Sequence, residues 1–354
     1  MPGSETRPLA GVQRSFGVLE GHQGYKVSLR SVYKERGQSQ PRIKFGHGVE
    51  FLYGKILDTQ TAASMLPRKN LPLRIVALLP FCAAVDIIRC GTQDPGRTLV
   101  DIVRSFAGNK KCIKAAPYYR PPKIAVDTYI HVVVSSEDRK EEPPESKLKE
   151  QMDVLNQGYA PTGMQYRLRG IDRTVNATWS NGDDQAKMKK RLRKGDYKTL
   201  NLYYLERLTA PGLRPRAILL GHCTFPSTVT EKSADFFDDG CRMLISTLPG
   251  GVIPATAKVN FDGKITVHEV GHWNGLFHTF MGGCDETLGG DLICDTPAET
   301  QVDNRPAPKS SGCPAGRNTC RNTTGPSVAG ADAIHNYMNY YNEWVLTREV
   351  GGLD

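Results

Sequence analysis

The stretch HEVGHWNGLFH, residues 268–278, holds three of the chain's eight histidines within eleven positions. His268 and His272 are four apart, so on a helix they stand one turn above each other on one face. Two imidazoles at that spacing grip a single Zn²⁺ from one side, with nitrogens about 2.0–2.1 Å from the metal. Glu269 follows the first ligand, where its carboxylate reaches a coordinated water without being a ligand itself. Zinc lowers the pKa of that water toward neutrality, and Glu269 takes its proton as it attacks a carbonyl. A straight helix would carry His278 away; Gly275 permits φ > 0, ends the helix and returns His278 as third ligand. Three protein ligands leave one position open, which separates a catalytic site from a closed structural one. The chance of these fixed positions arising by accident is on the order of 10⁻⁵ per chain, which sets aside an incidental His-rich helix.

With 354 residues the chain has room for one large domain or two ordinary ones. The net charge of +9 is spread thinly: residues 1–64 hold nine Lys/Arg against five Asp/Glu, and KMKKRLRK (Lys187–Lys194) is the other concentration. That run reads as the solvated face of a helix, because no aromatic residue interleaves it, and nucleic acid is not expected as a partner. Six of nine cysteines lie between Cys223 and Cys320, with no CxxC pair, which argues against a zinc ribbon. Together with the sequons at Asn176 and Asn322, the cysteines point to an oxidising, secreted setting. Residues 65–84 carry the layout of a signal peptide: basic Arg68 and Lys69, an apolar run, and small residues spaced for cleavage. The run is too short to span a bilayer. The expected start is therefore Met65, with 1–64 an upstream extension, 85–122 a candidate pro-segment, and 123–354 the catalytic domain.

Along the chain, APYYRPPK marks a Pro-rich junction. IAVDTYIHVVV (124–134) predicts a strand, 147–158 a helix, and MQYRLRGIDRTV (164–175) a strand. DDQAKMKKRLRKG reads as a helix closed by Gly195; TLNLYYLERL and CRMLIST read as strands, and Lys264 to Asn274 as the motif's helix. Strands alternating with helices, followed by a loop-rich, cysteine-bearing tail, predict one α/β domain with helices packed on a mixed sheet.

H-E-x-x-H-x-x-G-x-x-H resembles the signature of the metzincin zinc endopeptidases. That group also has a Met-turn beneath the metal, which HNYMNYY matches with Met338, and with Tyr340 two residues on. VDTYIHVV, TVNATW, CTFPSTVT, DGCRMLISTLPGG, VHEVGHWNGLFHTFMGGC, CDTPAE and IHNYMNY together resemble the pappalysin family, in its branch of secreted fungal metalloproteases, from about Ile124 to Tyr340. The resemblance implies a metzincin-type α/β (α+β) fold. It would have a twisted mixed sheet, two long helices and a disulfide-bearing C-terminal sub-domain after Gly275. It implies Tyr340 as oxyanion stabiliser and protein or peptide substrates, without membrane or nucleic-acid partners; a monomer is expected. IIRCGT resembles a pro-region segment in which Cys90 ligates the zinc and holds the enzyme latent; Cys90 reads equally as a disulfide cysteine. Asp291, Asp295 and Thr296 match a segment that helps bind Ca²⁺, with a plain polar turn as the alternative. The family pattern suggests the disulfides Cys284–Cys320 and Cys223–Cys241; Cys313 is expected to lack its family partner, with Cys294 as the substitute. Two departures stand out: Asn339 replaces the usual Asp after the methionine, and YNEWVLTREVGGLD does not continue the pattern. The expected C-terminal end is therefore truncated, and the alternative function is a zinc-binding homologue without a competent cleft.

Overall fold

The computed structural model describes residues 86–107, 123–140, 142–253, 260–285, 289–293, 296–300, 316–321 and 330–340. These belong to one compact unit. The extension 1–64, the candidate signal peptide, and Cys294, Asp295, Cys313 and Asn322 lie outside the described residues.

Six strands make one sheet: β1 (Ile87–Cys90), β2 (Ile124–Val134), β3 (Met164–Val175), β4 (Leu200–Leu205), β5 (Ile218–Cys223) and β6 (Cys241–Leu244). Their order is β1-β5-β6-β4-β2-β3. Every neighbouring pair is parallel except β5–β6, which runs antiparallel. β4 is buried along its whole length and β2 along its second half, as expected of central strands covered on both faces. β3 and β1 form the two edges.

The helices are α1 (Arg97–Ala107), α2 (Glu145–Tyr159), α3 (Ala177–Ser180), α4 (Gln185–Leu192), α5 (Ala234–Asp238) and α6 (Lys264–Trp273). α2 buries Leu148, Met152, Leu155 and Tyr159, a three-to-four spacing that makes one apolar stripe. That stripe meets α6, in which every residue from Ile265 to Trp273 is buried. Two polar contacts fix the pair: Gln151 Nε2 donates to Gly263 O at 2.9 Å, and Tyr159 Oη donates to Val267 O at 3.0 Å. α6 also contacts β5 and β6, and Tyr204 Oη of β4 pairs with Thr266 Oγ1 at 2.8 Å. α4 and α5 contact each other, and Lys189 of α4 pairs with Asp238 of α5.

Strand β3 and helix α6 fall where the sequence placed them. Three differences have physical reasons. The candidate pro-segment contributes β1 and α1, because β1 gains a parallel neighbour in β5 that its four residues alone could not announce. CRMLIST keeps its strand only to Leu244; Ile245–Thr247 turns as a 3₁₀ segment, with Thr247 Oγ1 donating to Leu244 O at 2.8 Å. The basic run is not wholly solvated, since the side chains of Lys189 and Arg193 are each 1% exposed and pair with Asp238 and Asp239.

Candidate metal centre and active site

α6 ends where the motif needs it to end. Gly275 takes φ +94°, its N–H donates to His272 O at 2.8 Å, and Leu276 N–H donates to Gly271 O at 2.9 Å. This pair of bonds is a Schellman motif, and its left-handed residue reverses the chain so that His278 returns to the first two histidines. His268 Nε2 lies 3.2 Å from His272 Nε2, which lies 3.1 Å from His278 Nε2.

The tautomers decide what these short separations mean. His268 Nδ1 donates to Tyr337 O at 2.7 Å, and His272 Nδ1 donates to Leu276 O at 2.8 Å. A carbonyl only accepts, so both Nδ1 atoms carry the proton and both Nε2 atoms present lone pairs. Two inward lone pairs at such a distance repel unless a cation lies between them. Tetrahedral zinc with bonds of about 2.05 Å would place its nitrogens roughly 3.3 Å apart, close to the observed spacing. Burial holds His268 and His278 well below the ordinary imidazole value and His272 at about 4, so all three are neutral, as ligands must be. The donor set fits zinc.

Cys90 completes the cluster: its Sγ and the three histidine nitrogens lie within 4.8 Å of one another. It is a buried free thiol rather than a disulfide cysteine. Burial, and then the nearby Glu269 carboxylate, push its pKa well up. Glu269 is fully buried, which lifts its pKa to about 8. Its Oε2 accepts from Thr92 Oγ1 at 3.0 Å, whereas Oε1 has no hydrogen-bond partner. Thr92 also accepts from Cys223 N–H at 3.0 Å, so it joins the end of β5 to the glutamate. Gly221 is required beside them, because a Cβ there would meet Glu269 Cγ at 2.6 Å. Neither Thr92 nor Gly221 was singled out by the sequence; threonine two residues after Cys90 carries no motif signal of its own.

Met338 Sδ lies directly against Gly271, between the first two histidines. The Tyr340 ring stands 5.1 Å from the His278 ring and 4.8 Å from Phe280, centroid to centroid. Asn339 Nδ2 donates to Glu299 Oε1 at 2.7 Å, so the residue that departs from the expected Asp is buried against a carboxylate. Cys223–Cys241 bridges β5 to β6, and Cys284–Cys320 ties the segment after His278 to the chain before the Met338 turn. Asp291 Oδ1 is engaged by Ile293 N–H at 2.9 Å. Thr296 is buried close by in sequence, and with Asp295 outside the described residues no carboxylate cluster is described there.

A peptidase family described as pregnancy-associated plasma protein-A matches residues 250–347. An extracellular metalloprotease of Sordaria macrospora is 42% identical over 264 residues, covering 73% of this chain and 83% of that protein. One from Pyricularia oryzae is 40% identical over 264 residues, covering 73% and 84%. The chain belongs to this metalloprotease family. Extracellular metalloprotease 1 of Coccidioides posadasii is 41% identical over 219 residues, covering 61% of the chain and 69% of that protein. By family this protein is a metalloendopeptidase: it uses a metal and acts on peptide substrates. Among the described residues no helix is long and apolar enough to cross a membrane.

Proposed function

We propose that this metalloprotease is a secreted zinc endopeptidase made as a latent zymogen. The observation that carries the reading is the convergence of His268 and His272 Nε2 lone pairs, fixed by backbone carbonyls, with His278 Nε2 at hydrogen-bonding range. Zinc, when bound, supplies the positive charge that makes water acidic near neutrality and polarises a scissile carbonyl. The rest of the work falls to the chain. Glu269 Oε1, buried and unpartnered, is where the proton taken from the attacking water is held before it passes to the leaving amine. Tyr340 Oη is assigned the developing oxyanion; burial first, then the neighbouring Cys90 and Glu269, raise its pKa far above the usual phenol value, so it keeps the proton it must donate. Met338 supports the floor of the site. Calcium at Asp291, Asp295 and Thr296 rests on the family resemblance alone.

Latency follows from β1. It lies parallel along β5 and carries Cys90 to the histidines and Thr92 to Glu269, so one segment occupies both the fourth metal position and the base. Activation then requires cutting between β1 and β2, which lets β1 leave. Export is supported by the extracellular naming of the relatives and by Asn176, whose Oδ1 accepts from Trp179 N–H at 3.0 Å while Nδ2 has no partner among the described residues. That leaves Nδ2 available to a glycan.

The full chain, secreted from a yeast host, tests this. One zinc per chain and chelator-sensitive casein cleavage after pro-segment removal are expected, and absence of both would refute the reading. Glu269→Gln should keep the metal and lose cleavage; an active Glu269→Gln enzyme removes Glu269 from its role. Cys90→Ser should raise the activity of the unprocessed chain, and unchanged latency would dismiss Cys90 as the switch.

A further inference from the structure

Asn339, the departure from the family pattern, lies buried between Met338 and Tyr340, and its side-chain amide is engaged at both ends. Its Oδ1 accepts from Tyr340 N–H at 2.6 Å. Its Nδ2 donates to Glu299 Oε1 at 2.7 Å and to Ala333 O at 3.3 Å. A backbone N–H only donates and a carbonyl only accepts, so the partners themselves orient the amide. Within the turn, Asn339 N–H donates to Asn336 O at 3.0 Å, and Asn336 Oδ1 accepts from Met338 N–H at 2.8 Å. Glu299, 40 residues earlier, ties the amide to a distant part of the chain.

Glu299 is itself fully buried. Arg317 Nη1 stands 3.5 Å from its Oε2 but 2.7 Å from Asp332 Oδ2, so one guanidinium serves two carboxylates. Burial raises the pKa of Glu299 and Asp332 adds to the rise, while Thr279, Asn339 and Arg317 oppose it. An aspartate at position 339 would set an oxygen where Nδ2 stands, 2.7 Å from Glu299 Oε1 and 3.3 Å from Ala333 O. Three acceptors would then face one another without a proton. Two carboxylates at that distance do not both ionise; they share one proton and repel once it leaves. The amide keeps its N–H whatever the pH.

We propose that Glu299 is a positioning residue for peptide hydrolysis, acting through the Asn339 amide to hold the turn that sets Met338 and Tyr340 at the metal centre. Its carboxylate grips the amide, and the amide grips the N–H of the residue whose ring stands 5.1 Å from the His278 ring. The inference rests on the assignment of Tyr340 to the oxyanion and deepens it: one amide set against one carboxylate keeps the tyrosine in place as pH rises.

The test compares the full chain, secreted and freed of its pro-segment, with Asn339→Asp and with the exchange variant Glu299→Gln/Asn339→Asp. Asn339→Asp should lose roughly 10–100-fold in kcat at pH 8 with KM unchanged, and its ratio to the parent should recover as pH falls to 6. Its unfolding midpoint should drop between pH 6 and 8 more steeply than the parent's, because the native pair holds a proton that the unfolded chain has released. The exchange variant again sets one amide against one carboxylate, so it should regain most of the kcat and lose both pH trends. Parental kcat per zinc-loaded chain in Asn339→Asp at pH 8, or an exchange variant no better than Asn339→Asp, overturns the proposal. If Asn339→Asp does not fold, the exchange variant decides alone, and its failure to fold and cleave counts against the proposal. Tyr340→Phe separates the two readings: unchanged kcat there removes Tyr340 from the oxyanion. The unfolding trend of Asn339→Asp and its reversal by exchange still decide whether Glu299 holds the turn.

Discussion

Gly271 sits in α6 between His268 and His272, and Met338 Sδ occupies the place its Cβ would take. Replacing it with alanine sets two effects against each other. Alanine in a helix interior is favoured over glycine by about 1 kcal/mol. Forcing a methyl into a filled site costs about 1–3 kcal/mol. The contact is with a turn held in place by its own bonds: Met338 N–H donates to Asn336 Oδ1 at 2.8 Å, and Met338 O accepts from Thr279 N–H at 3.4 Å. Overpacking therefore wins, with a net loss between zero and roughly 2 kcal/mol. The displaced turn also carries Tyr337 O away from His268 Nδ1, and loss of such a ligand-orienting bond weakens metal binding roughly 10–100-fold. Denaturant unfolding gives the first quantity, and zinc competition with a calibrated chelator gives the second. Placing Gly271→Ala in a Met338→Ala background removes the collision, so there alanine should stabilise by about 1 kcal/mol. A Gly271→Ala protein that is about 1 kcal/mol more stable than the parent, with unchanged zinc affinity, refutes the packing argument.

Three further outcomes follow from buried polar groups and one bridge. Lys189 has a folded pKa of about 8 against 10.5 for an unperturbed lysine. Between those values the unfolded chain holds a proton the native state has released, so stability rises with pH across that window. Unfolding measured from pH 7.5 to 9.5 should show the rise, and Lys189→Met should flatten it; a fall would contradict the burial. Above pH 10 the buried Tyr166, Tyr203 and Tyr204, whose pKa values burial pushes well above the ordinary phenol value, act in the opposite sense because the native state keeps protons that the unfolded state loses. Tyr166→Phe deprives Asn274 Nδ2 of its acceptor at 2.8 Å and should cost about 1–3 kcal/mol in denaturant midpoints, loosening the end of α6. Removing both Cys223 and Cys241, which are 18 residues apart, should cost about 3 kcal/mol, read from thermal unfolding under non-reducing conditions.

The metal-binding half of the site was legible because its geometry is local. His268, His272, Gly275 and His278 are close in sequence, and helix periodicity with one left-handed residue brings them together. β3 was legible because its residues alternate along an exposed edge. What escaped depended on partners far along the chain. IIRC is a strand only because β5 lies beside it, and Thr92 matters only because Glu269 is 177 residues away. Lys189 looked solvated because nothing nearby in sequence reveals Asp238, 49 residues on, or the sheet beneath it. Charge runs report composition; burial reports topology.

The histidine rings reach the backbone at two separate places, Leu276 just past the helix and Tyr337 near the end of the described chain. The described residues between Gly275 and Tyr340 contribute no strand to the sheet. Among the described residues this segment is held to the upstream part by the histidine cluster, the His268–Tyr337 bond and the Met338 contact, and the Cys284–Cys320 bridge ties it to itself. Coordination at the three Nε2 atoms is thus also a clasp that closes the downstream third of the domain onto the upstream part. Metal loading then becomes a checkpoint of assembly: a chain that leaves the folding compartment without its ion carries a loose lower jaw, open to proteolysis where the loaded chain is closed.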